Sequence, residues 1–337
     1  MTDSSTRPLL TIVSNADARF LPGLEMAVSS TTAAASGKYD YRFLILDGGL
    51  PPESLDELRK VIERIASLKG IAVTIDLLTI DQSRLMTLPE RRGSRMTYAK
   101  LVLPEQLPHL DEIIYLDADV LCFKGVESVH PPQGETHWLL AGARDYFSVI
   151  EKDCPWIDQV PPEERKLPYI NCGVMWMNLK GLREVDFTAR SIAARAAAGQ
   201  ARQGDQSVFN FLCRGRSYIL PNSINHRTTI GATRPLCQGN LNLNLHYIGT
   251  SKPWLEAPKT SNWLAHCLWH EAHHIFFPYR QTCKPALPTC DQAIIRKKSW
   301  FYTLLNPKRA KCYRSDLLSL KDPEHIISQV DKYWKIN

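Results

Sequence analysis

The first 120 residues alternate between short apolar runs and segments with the spacing of a helix. The apolar runs have the length of buried strands, and they cover residues 9–14, 41–46, 71–78 and 112–117. Residues 54–70 have helical spacing, with Ser54 as N-cap and Gly70 as a stop signal. Residues 94–107 predict a second helix that ends near Pro104. Strands that alternate with helices pair in parallel, so the pattern predicts an α/β fold whose sheet is covered on both faces.

The same alternation continues in the second half of the chain. Strand-like and helical patterns follow one another at residues 138–144, 170–179, 181–199 and 205–213. Residues 243–254 predict a strand that runs into a loop ended by Pro253. From about residue 284 the periodicity weakens while proline and basic residues accumulate. We therefore expect one domain over residues 1–283 and a separate C-terminal tail over residues 284–337.

Composition narrows the class of protein. A chain of 337 residues with 44% hydrophobic and 23% charged residues is typical of a globular protein of one large domain with an appendage. No window approaches the roughly 18 apolar residues that span a bilayer. The nine cysteines form no close pairs, which favours a reducing, cytoplasmic location over a disulfide framework. No GxGxxG motif follows the first strand, which disfavours a dinucleotide-dependent dehydrogenase.

Two carboxylates follow the apolar run at residues 112–116. Asp117 and Asp119 are one residue apart, so both can face the same side of an extended chain. Like charges this close repel unless a cation lies between them, and oxygen ligands favour Mg²⁺ or Mn²⁺. Ligands of open parallel sheets bind at the carboxyl ends of strands, where this pair lies. A solvated acidic turn is the alternative interpretation.

Six motifs occur in one order along the predicted strands and helices. They are IVSNADARF (12–20), TYAKL (97–101), YLDADVL (115–121), YINCGVMWMNL (169–179), GDQSVFN (204–210) and HYIGTSKPW (246–254). In these motifs and their order the chain resembles the retaining glycosyltransferases of family 8, which include bacterial lipopolysaccharide galactosyl- and glucosyltransferases. The resemblance implies a GT-A type domain with a Rossmann-like, mostly parallel sheet and a UDP-sugar donor.

The resemblance also assigns the donor site. It implies that the segment Asn15, Ala16, Asp17 holds uracil and ribose. It implies that Asp117 and Asp119, with Ala118 between them, bind the donor through Mn²⁺ or Mg²⁺, and that His246 is the third protein ligand. Gly249 would let the backbone approach the diphosphate, and Lys252 would supply positive charge to it.

The sugar side of the site is implied in the same way. Asp145 and Asn171 match positions that contact the transferred sugar, and Asp205 with Gln206 matches the Asp-Gln pair beside the anomeric carbon. Lys100, also expected to bind the donor, stands where the family often has Arg, so a forked contact becomes a point charge. Ile248 and Asn15 depart from residues found in some relatives, which affects the details of donor contact. Retention through a covalent intermediate and retention by attack from the leaving-group face both remain open.

The expected reaction is transfer of galactose or glucose from UDP-galactose or UDP-glucose to an oligosaccharide or glycolipid acceptor, with lipopolysaccharide core as the leading acceptor. An inactive nucleotide-sugar-binding protein is one alternative. A zinc hydrolase is another, because residues 270–274 read HEAHH and fit the H-E-x-x-H pattern with Glu271 beside His270 and His274. Against it, Pro278 ends the helix within one turn. The nearby Cys283 and Cys290 could join a structural zinc site, but their spacing matches no common zinc motif.

The C-terminal tail is strongly basic. Seven basic residues lie between Arg296 and Arg314 without an acid among them, which exceeds the net charge of +6 for the whole chain. Trp300, Phe301 and Tyr302 are interleaved with these charges. This combination favours peripheral attachment to anionic lipid at the inner face of the cell membrane, with a solvated tail as the alternative. Nucleic-acid binding is disfavoured because no fold for it is recognisable.

Overall fold

A computed structural model gives the fold. It describes residues 7–91, 93–131, 137–198, 204–228, 241–250, 252–255, 263–280, 296–303 and, near the C-terminus, 307, 310, 314, 327–328 and 330–334. The strands of this part of the chain are β1 (Leu9–Ala16), β2 (Asp40–Asp47), β3 (Val73–Leu78), β4 (Glu112–Leu116), β5 (Val120–Cys122), β6 (Leu140–Val149), β7 (Pro168–Asn178), β8 (Ser217–Leu220), β9 (His226–Arg227) and β10 (Asn244–His246). The predicted α/β class is confirmed.

The main sheet has seven strands in the order β3-β2-β1-β4-β7-β6-β8. Strands β1 to β4 pair in parallel, as predicted. Strand β7 differs, because it runs antiparallel to β4 and to β6. Its first residues therefore project beyond the edge at which β1 and β4 end, and they form a wall there. A second, small sheet has the order β5-β10-β9.

The α-helices are α1 (Leu21–Ala33), α2 (Asp56–Lys69), α3 (Leu103–Gln106), α4 (Leu179–Glu184), α5 (Phe187–Ala197), α6 (Asp205–Leu212) and α7 (Trp263–Phe276). Residues 296–303 are also helical, and a last helix covers Val330–Trp334. Helix α2 confirms the predicted helix, and Gly70 ends it in the left-handed conformation with φ of 64°. Ser54 is not its N-cap, because a 3-10 helix (Pro52–Leu55) contains Ser54 and leads into α2, and Leu55 at the cap position makes no side-chain hydrogen bond.

Three helical segments differ from the sequence-based prediction. Helix α1 shows no amphipathic pattern because 11 of its 13 residues are buried. The segment 94–107 forms a 3-10 helix (Met96–Val102) followed by α3, and Pro104 lies in the first turn of α3 rather than at a helix end. Proline is tolerated there because the first turn needs no N–H donor. The single helix predicted at 181–199 is two helices, α4 and α5, in its described part up to residue 198, because Asp186 adopts a φ of 51° between them.

Two hydrophobic cores fill the space on either side of the sheet, and both faces are therefore covered as predicted. One packs α1, α2 and α7 on the sheet, and the other packs the 96–106 helices with α4 to α6. The end of the chain joins the first core: the buried Trp334 stacks on Phe123 with ring centroids 4.9 Å apart, and its Nε1 donates to the carbonyl of Cys122. The separation of residues 284–337 as a membrane-associating segment stays a prediction.

Two further observations bear on the compartment. The five cysteines in the described residues are free thiols, and four of them are buried. Among the helices that the structure describes, none is long and apolar enough to cross a membrane.

Candidate active site

One cavity of about 700 Å³ lies at the edge where β1 and β4 end. All fourteen residues that the sequence analysis assigned to the site line this cavity: Asn15, Ala16, Asp17, Lys100, Asp117, Ala118, Asp119, Asp145, Asn171, Asp205, Gln206, His246, Gly249 and Lys252. They come from both sheets, from the 3-10 helix at 96–102 and from the start of α6. The fold therefore gathers segments that are far apart in sequence around one space.

Asp117, Asp119 and His246 form a compact group at this edge, which we call the carboxylate–histidine cluster. The turn between β4 and β5 carries the two aspartates, and β10 pairs with β5 so that His246 lies opposite Val120. His246 Nε2 lies 3.2 Å from Asp119 Oδ1 and 3.7 Å from Asp117 Oδ2. The three ligand atoms lie within 4.8 Å of one another, and the described part of the chain contains no other such group.

The cluster fits a divalent cation. Adjacent ligands of an octahedral ion with bonds of about 2.1 Å are about 3 Å apart, close to the separations found here. Two carboxylate oxygens and one imidazole nitrogen are donors that suit Mn²⁺, and the oxygens suit Mg²⁺. The open cavity on one side leaves coordination positions for water and phosphate oxygens.

His246 is held from two sides. Its Nδ1 lies 2.9 Å from Oδ1 of Asn225, so Nε2 is turned towards the carboxylates. Its ring lies against the main chain of β7 at Gly173, where an added Cβ would come within 2.2 Å of the ring. The same glycine accepts a hydrogen bond from the amide of Asp117. A glycine is therefore required at position 173 for the imidazole to reach the aspartates.

Lys252 lies next to Asp119, and its positive charge offsets the negative charge of that carboxylate. Its Nζ contacts Asp119 Oδ2 and donates to the carbonyl of Tyr247 at 2.6 Å. Burial tends to raise the pKa of Asp119, but attraction by Lys252 outweighs burial and holds that pKa far below its usual range. Asp119 is thus ionised across the physiological range and available as a ligand.

The loop that carries Lys252 is fixed to α1. Gly249 has a φ of 89°, which favours glycine, and an added Cβ would meet nothing within 4 Å. Trp254 packs edge-on against Phe20 and donates from Nε1 to the carbonyl of Arg19. At Gly23 of α1, an added Cβ would come within 2.5 Å of both the Trp254 ring and the carbonyl of Ala118.

Lys100 and Asp205 form a second charged group that adjoins the carboxylate–histidine cluster at Asp117. Lys100 is buried, and its Nζ lies 2.9 Å from Asp205 Oδ2 and 3.3 Å from Asp117 Oδ1. Burial alone would lower the pKa of Lys100, but Asp117 and Asp205 raise it well above its ordinary value. Asp205 Oδ1 accepts from the hydroxyl of Thr97 at 2.8 Å. Both oxygens of this buried carboxylate are therefore engaged by the protein.

The segment after β1 forms another wall of the cavity. Asn15 donates from Nδ2 to the carbonyl of Met96 and accepts at Oδ1 from the hydroxyl of Tyr115. Asp17 caps the short helix that follows, because its side chain accepts from the amides of Arg19 and Phe20. These contacts fix the backbone of Ala16 and Asp17 at the cavity wall.

The facing wall is made by the projecting parts of β6 and β7 and by α6. Asn171 donates from Nδ2 to Asp145 Oδ2 at 2.8 Å. Gln206 accepts at Oε1 from the amide of Cys172 at 3.1 Å, which orients its side-chain amide. The polar groups predicted to contact the sugar are thus buried and held by neighbours.

The HEAHH stretch lies on α7, away from this cavity. Its histidines pack against aromatic rings: His273 stacks on Trp269, with ring centroids 5.1 Å apart, and His270 meets the same ring edge-on. His274 is exposed, and α7 ends at Phe276. No metal-ligand group forms at α7 within the described residues, while Cys283 and Cys290 lie outside them. The structure gives the zinc-hydrolase alternative no support.

Sequence analysis missed several residues that shape the site. Asn225, Thr97 and Tyr115 hold the predicted residues in place, and Arg91 and Arg227 line the cavity with them. Thr97 and Tyr115 lie inside quoted motifs, but their contacts depend on residues distant in sequence. Asn225 lies in no motif, so nothing in the sequence distinguished it.

Comparison with known proteins agrees with this arrangement. The model of the family "Glycosyl transferase family 8" matches residues 11–257, which include every predicted site residue and exclude α7. The chain is 26% identical, over 262 residues and 74% of each chain, to a protein named lipopolysaccharide 1,2-glucosyltransferase from Escherichia coli (strain K12).

Two solved structures show the same fold. The galactosyltransferase LgtC in complex with donor and acceptor sugar analogs has a TM-score of 0.61 and 24% identity, and the match covers 84% of this chain and 99% of that one. The glycosyltransferase GlyE of Streptococcus pneumoniae has a TM-score of 0.55 and 19% identity over 78% of this chain and 60% of that one. With its GT-A fold and with most of its length matched by the family model, the chain belongs to glycosyltransferase family 8.

Proposed function

We propose that the protein is a UDP-sugar-dependent hexosyltransferase that moves glucose or galactose to a saccharide acceptor with retention of configuration. The observation that carries the proposal is the convergence of the carboxylate–histidine cluster and Lys252 at one side of a cavity whose other walls contain the residues that the resemblance assigns to the nucleotide and the sugar. The Escherichia coli relative is named a lipopolysaccharide glucosyltransferase, which supports lipopolysaccharide core or a related glycolipid as the acceptor.

On the nucleotide side, the segment of Asn15, Ala16 and Asp17 holds uracil and ribose. The side-chain amide of Asn15 already has two protein partners. Recognition therefore depends on the backbone that these contacts fix in place. Asp17 also caps a helix, so its carboxylate has a defined position at the cavity wall.

At the diphosphate, Asp117, Asp119 and His246 would hold a divalent cation, with Mn²⁺ as the first candidate and Mg²⁺ as the second. When bound there, such a cation would supply positive charge to the departing UDP. Lys252 supplies a second positive charge at the same place, and it is held there by the Tyr247 carbonyl. Gly249 has no side chain, so the backbone can approach the phosphates.

At the sugar, Asp145 and Asn171 bind hydroxyl groups, and Gln206 lies beside the anomeric carbon. Asp205 is held at both oxygens by Lys100 and Thr97. This carboxylate therefore stabilises positive charge near the anomeric carbon from a fixed position. Retention through a covalent intermediate and retention by attack from the leaving-group face stay alternatives.

The reaction is tested by UDP release from a panel of UDP-sugars in the presence of Mn²⁺, with and without a lipopolysaccharide-core acceptor. We expect release with UDP-glucose or UDP-galactose that rises when the acceptor is added, and an α-linked product by NMR. Binding of a UDP-sugar without release under any of these conditions would instead support the inactive binding protein.

We also propose that the C-terminal segment attaches the enzyme to the inner face of the cell membrane, where a lipid-linked acceptor would be available. The helix at 296–303 exposes Arg296, Lys297 and Lys298 together with Trp300 and Phe301, which are 80% and 54% exposed. Cations beside exposed aromatic rings suit an anionic lipid surface.

Membrane attachment is tested by flotation with vesicles that contain an anionic lipid, and vesicles of neutral lipid are the control. We expect the protein to float with the anionic vesicles only. A double variant, Trp300→Ala with Phe301→Ala, should lose much of this binding and keep its UDP-release activity on a water-soluble acceptor. Flotation that this variant leaves unchanged would contradict the proposal.

A further inference from the structure

A chain of four buried side chains connects the carboxylate–histidine cluster to the sugar wall. Asp145 Oδ2 accepts from Asn171 Nδ2 at 2.8 Å, and Asn171 Oδ1 accepts from Asn225 Nδ2 at 2.8 Å. Asn225 Oδ1 then lies 2.9 Å from His246 Nδ1. All four residues are at least nine-tenths buried, so water does not compete for these hydrogen bonds.

The direction of every hydrogen bond among these four side chains follows from Asp145, the first of them. An ionised carboxylate only accepts, so Asp145 requires the NH₂ group of Asn171 to face it. The oxygen of Asn171 must then face Asn225, and the amide N–H of Gly173, which can only donate, independently requires the same orientation at 3.0 Å. Asn171 Oδ1 therefore requires the NH₂ group of Asn225, which leaves the Asn225 oxygen facing His246.

The last step decides the protonation of the imidazole. An amide oxygen accepts only, so the Nδ1 that faces it carries the proton. A cation held by Asp117 and Asp119 would then take the lone pair of Nε2, which faces both carboxylates. The glycine contact at position 173 holds the plane of the ring, so the tautomer is the remaining variable that decides whether His246 can bind a cation.

We propose that Asn225 is a positioning residue that holds the proton of His246 on Nδ1, and that Asp145 and the Gly173 amide together set the orientation of Asn225 through Asn171. The inference deepens the proposed function, because it relies on His246 as a ligand of a divalent cation. It also joins the sugar wall to the cation site through oriented amides. Partners that orient a ligating histidine commonly change metal affinity by about 10- to 100-fold.

The first experiment measures the tautomer directly and needs no metal. Protein labelled with ¹⁵N-histidine is examined by long-range ¹H–¹⁵N NMR, and His246→Gln identifies the signal. We expect a proton on Nδ1 of His246 in the unsubstituted protein, whatever Nε2 carries in the absence of a cation, and a loss of this fixed position in Asn225→Leu. An unprotonated Nδ1 in the unsubstituted protein would mean that Asn225 turns its NH₂ group towards His246, and it would overturn the inference.

The second experiment measures Mn²⁺ affinity by EPR in the presence of UDP. We expect affinity to fall about 10- to 100-fold in Asn225→Leu. Asn225→Asp keeps an acceptor for the Nδ1 proton but loses the donor to Asn171, so it should keep the proton on Nδ1 and lose less Mn²⁺ affinity than Asn225→Leu. Asn222→Ala is the matched control, since Asn222 is exposed in the same 3-10 turn, and it should change neither measurement.

The two experiments separate the inference from the proposed function. Absence of Mn²⁺ binding by the unsubstituted protein would contradict the proposed cation site, while the NMR result would still decide the tautomer. Normal Mn²⁺ affinity in Asn225→Leu, or an equal loss in the leucine and aspartate variants, would overturn the positioning role. Asp145→Leu removes one of the two groups that orient Asn171 and leaves the Gly173 amide, so it should change the His246 signal less than Asn225→Leu does. A change as large as that in Asn225→Leu would contradict the role of the Gly173 amide.

Discussion

The carboxylate–histidine cluster and helix α7 both contain sequence patterns that are associated with metal binding, but the surroundings of their side chains in the structure differ. The cluster takes Asp117 and Asp119 from one turn and His246 from a strand of another sheet, and it faces an open cavity. In α7 the histidines are contiguous in sequence, but His270 and His273 pack on the ring of Trp269.

The difference shows what a metal site needs beyond donors at a plausible spacing. The cluster has a fixed charge, since Lys252 keeps Asp119 ionised. In α7 burial lowers the pKa of His266 and of His273 to about 4, so both are neutral at pH 7 and pack like aromatic residues. Side chains with metal-ligand atoms form a candidate metal site only where several elements bring them together, where neighbouring charges balance theirs, and where a ligand can reach them.

The largest effect should come from removing one carboxylate of the cluster. In Asp119→Ala, Lys252 and His246 lose their shared partner and the cation loses a ligand, so we expect kcat/KM for UDP release to fall at least about 100- to 1000-fold. EPR should show that Mn²⁺ binding is lost as well. Asp111→Ala, at the other end of β4 and in a surface ion pair, is the control and should keep both properties.

A smaller effect is expected at Lys252. Replacing it with Met keeps the length of the side chain and removes the charge that stabilises departing UDP, so kcat should fall about 10- to 100-fold with a smaller change in KM. The exposed Lys60, changed to Met in the same way, should have no effect. A change in KM alone would show that Lys252 contributes to ground-state binding only.

The free energy of unfolding should depend on pH through a buried histidine of helix α7. The unfolded-state pKa of histidine is 6.5 and that of folded His273 is about 4, with burial as the main cause and Arg280 next. The unfolded chain therefore binds a proton first, and stability falls as pH drops from 6.5 towards 4. Between pH 7.5 and pH 5 this residue should account for about 2 kcal/mol of the lost unfolding free energy.

The measurement is urea unfolding at both pH values for the unsubstituted protein and for His273→Phe, which keeps a ring against Trp269. The phenylalanine variant should lose about 2 kcal/mol less on acidification. His274→Phe, at an exposed position on the same helix, should behave like the unsubstituted protein. Equal losses in all three proteins would mean that His273 is not protected from protonation.

The smallest effect is expected at Glu271. A zinc hydrolase would need this carboxylate as its general base, whereas α7 lies outside the residues that the family model matches. Glu271→Gln should therefore leave UDP release unchanged and reveal no dependence on added Zn²⁺. A large loss of UDP release in Glu271→Gln would mean that helix α7 contributes to activity as the carboxylate–histidine cluster does.

Much of the fold could be predicted from local patterns. Each predicted strand of the first half corresponds to an observed one, because buried strands leave continuous apolar runs. Helix α1 was not predicted, since burial on every side removes the amphipathic period that identifies a helix. The antiparallel direction of β7 depends on pairing with β4 and β6, and neither residue order nor apolar content specifies it.

The residues of the site likewise fall into those that sequence motifs predicted and those that they did not. Residues within ordered motifs were assigned by resemblance, and the structure brings all of them to one cavity. Asn225 was missed because an isolated asparagine in LPNSINHR carries no periodic or motif signal. Its importance arises from the two amides and the imidazole that the fold places beside it.

Gly173 gives a criterion for reading related sequences. The imidazole lies on bare main chain at this position, so a side chain as small as alanine would collide with it. A chain that keeps both aspartates and the distant histidine but replaces this glycine should need another ring position or a different third ligand. The absence of a single methyl group is thus as much a mark of the proposed metal centre as the ligands themselves.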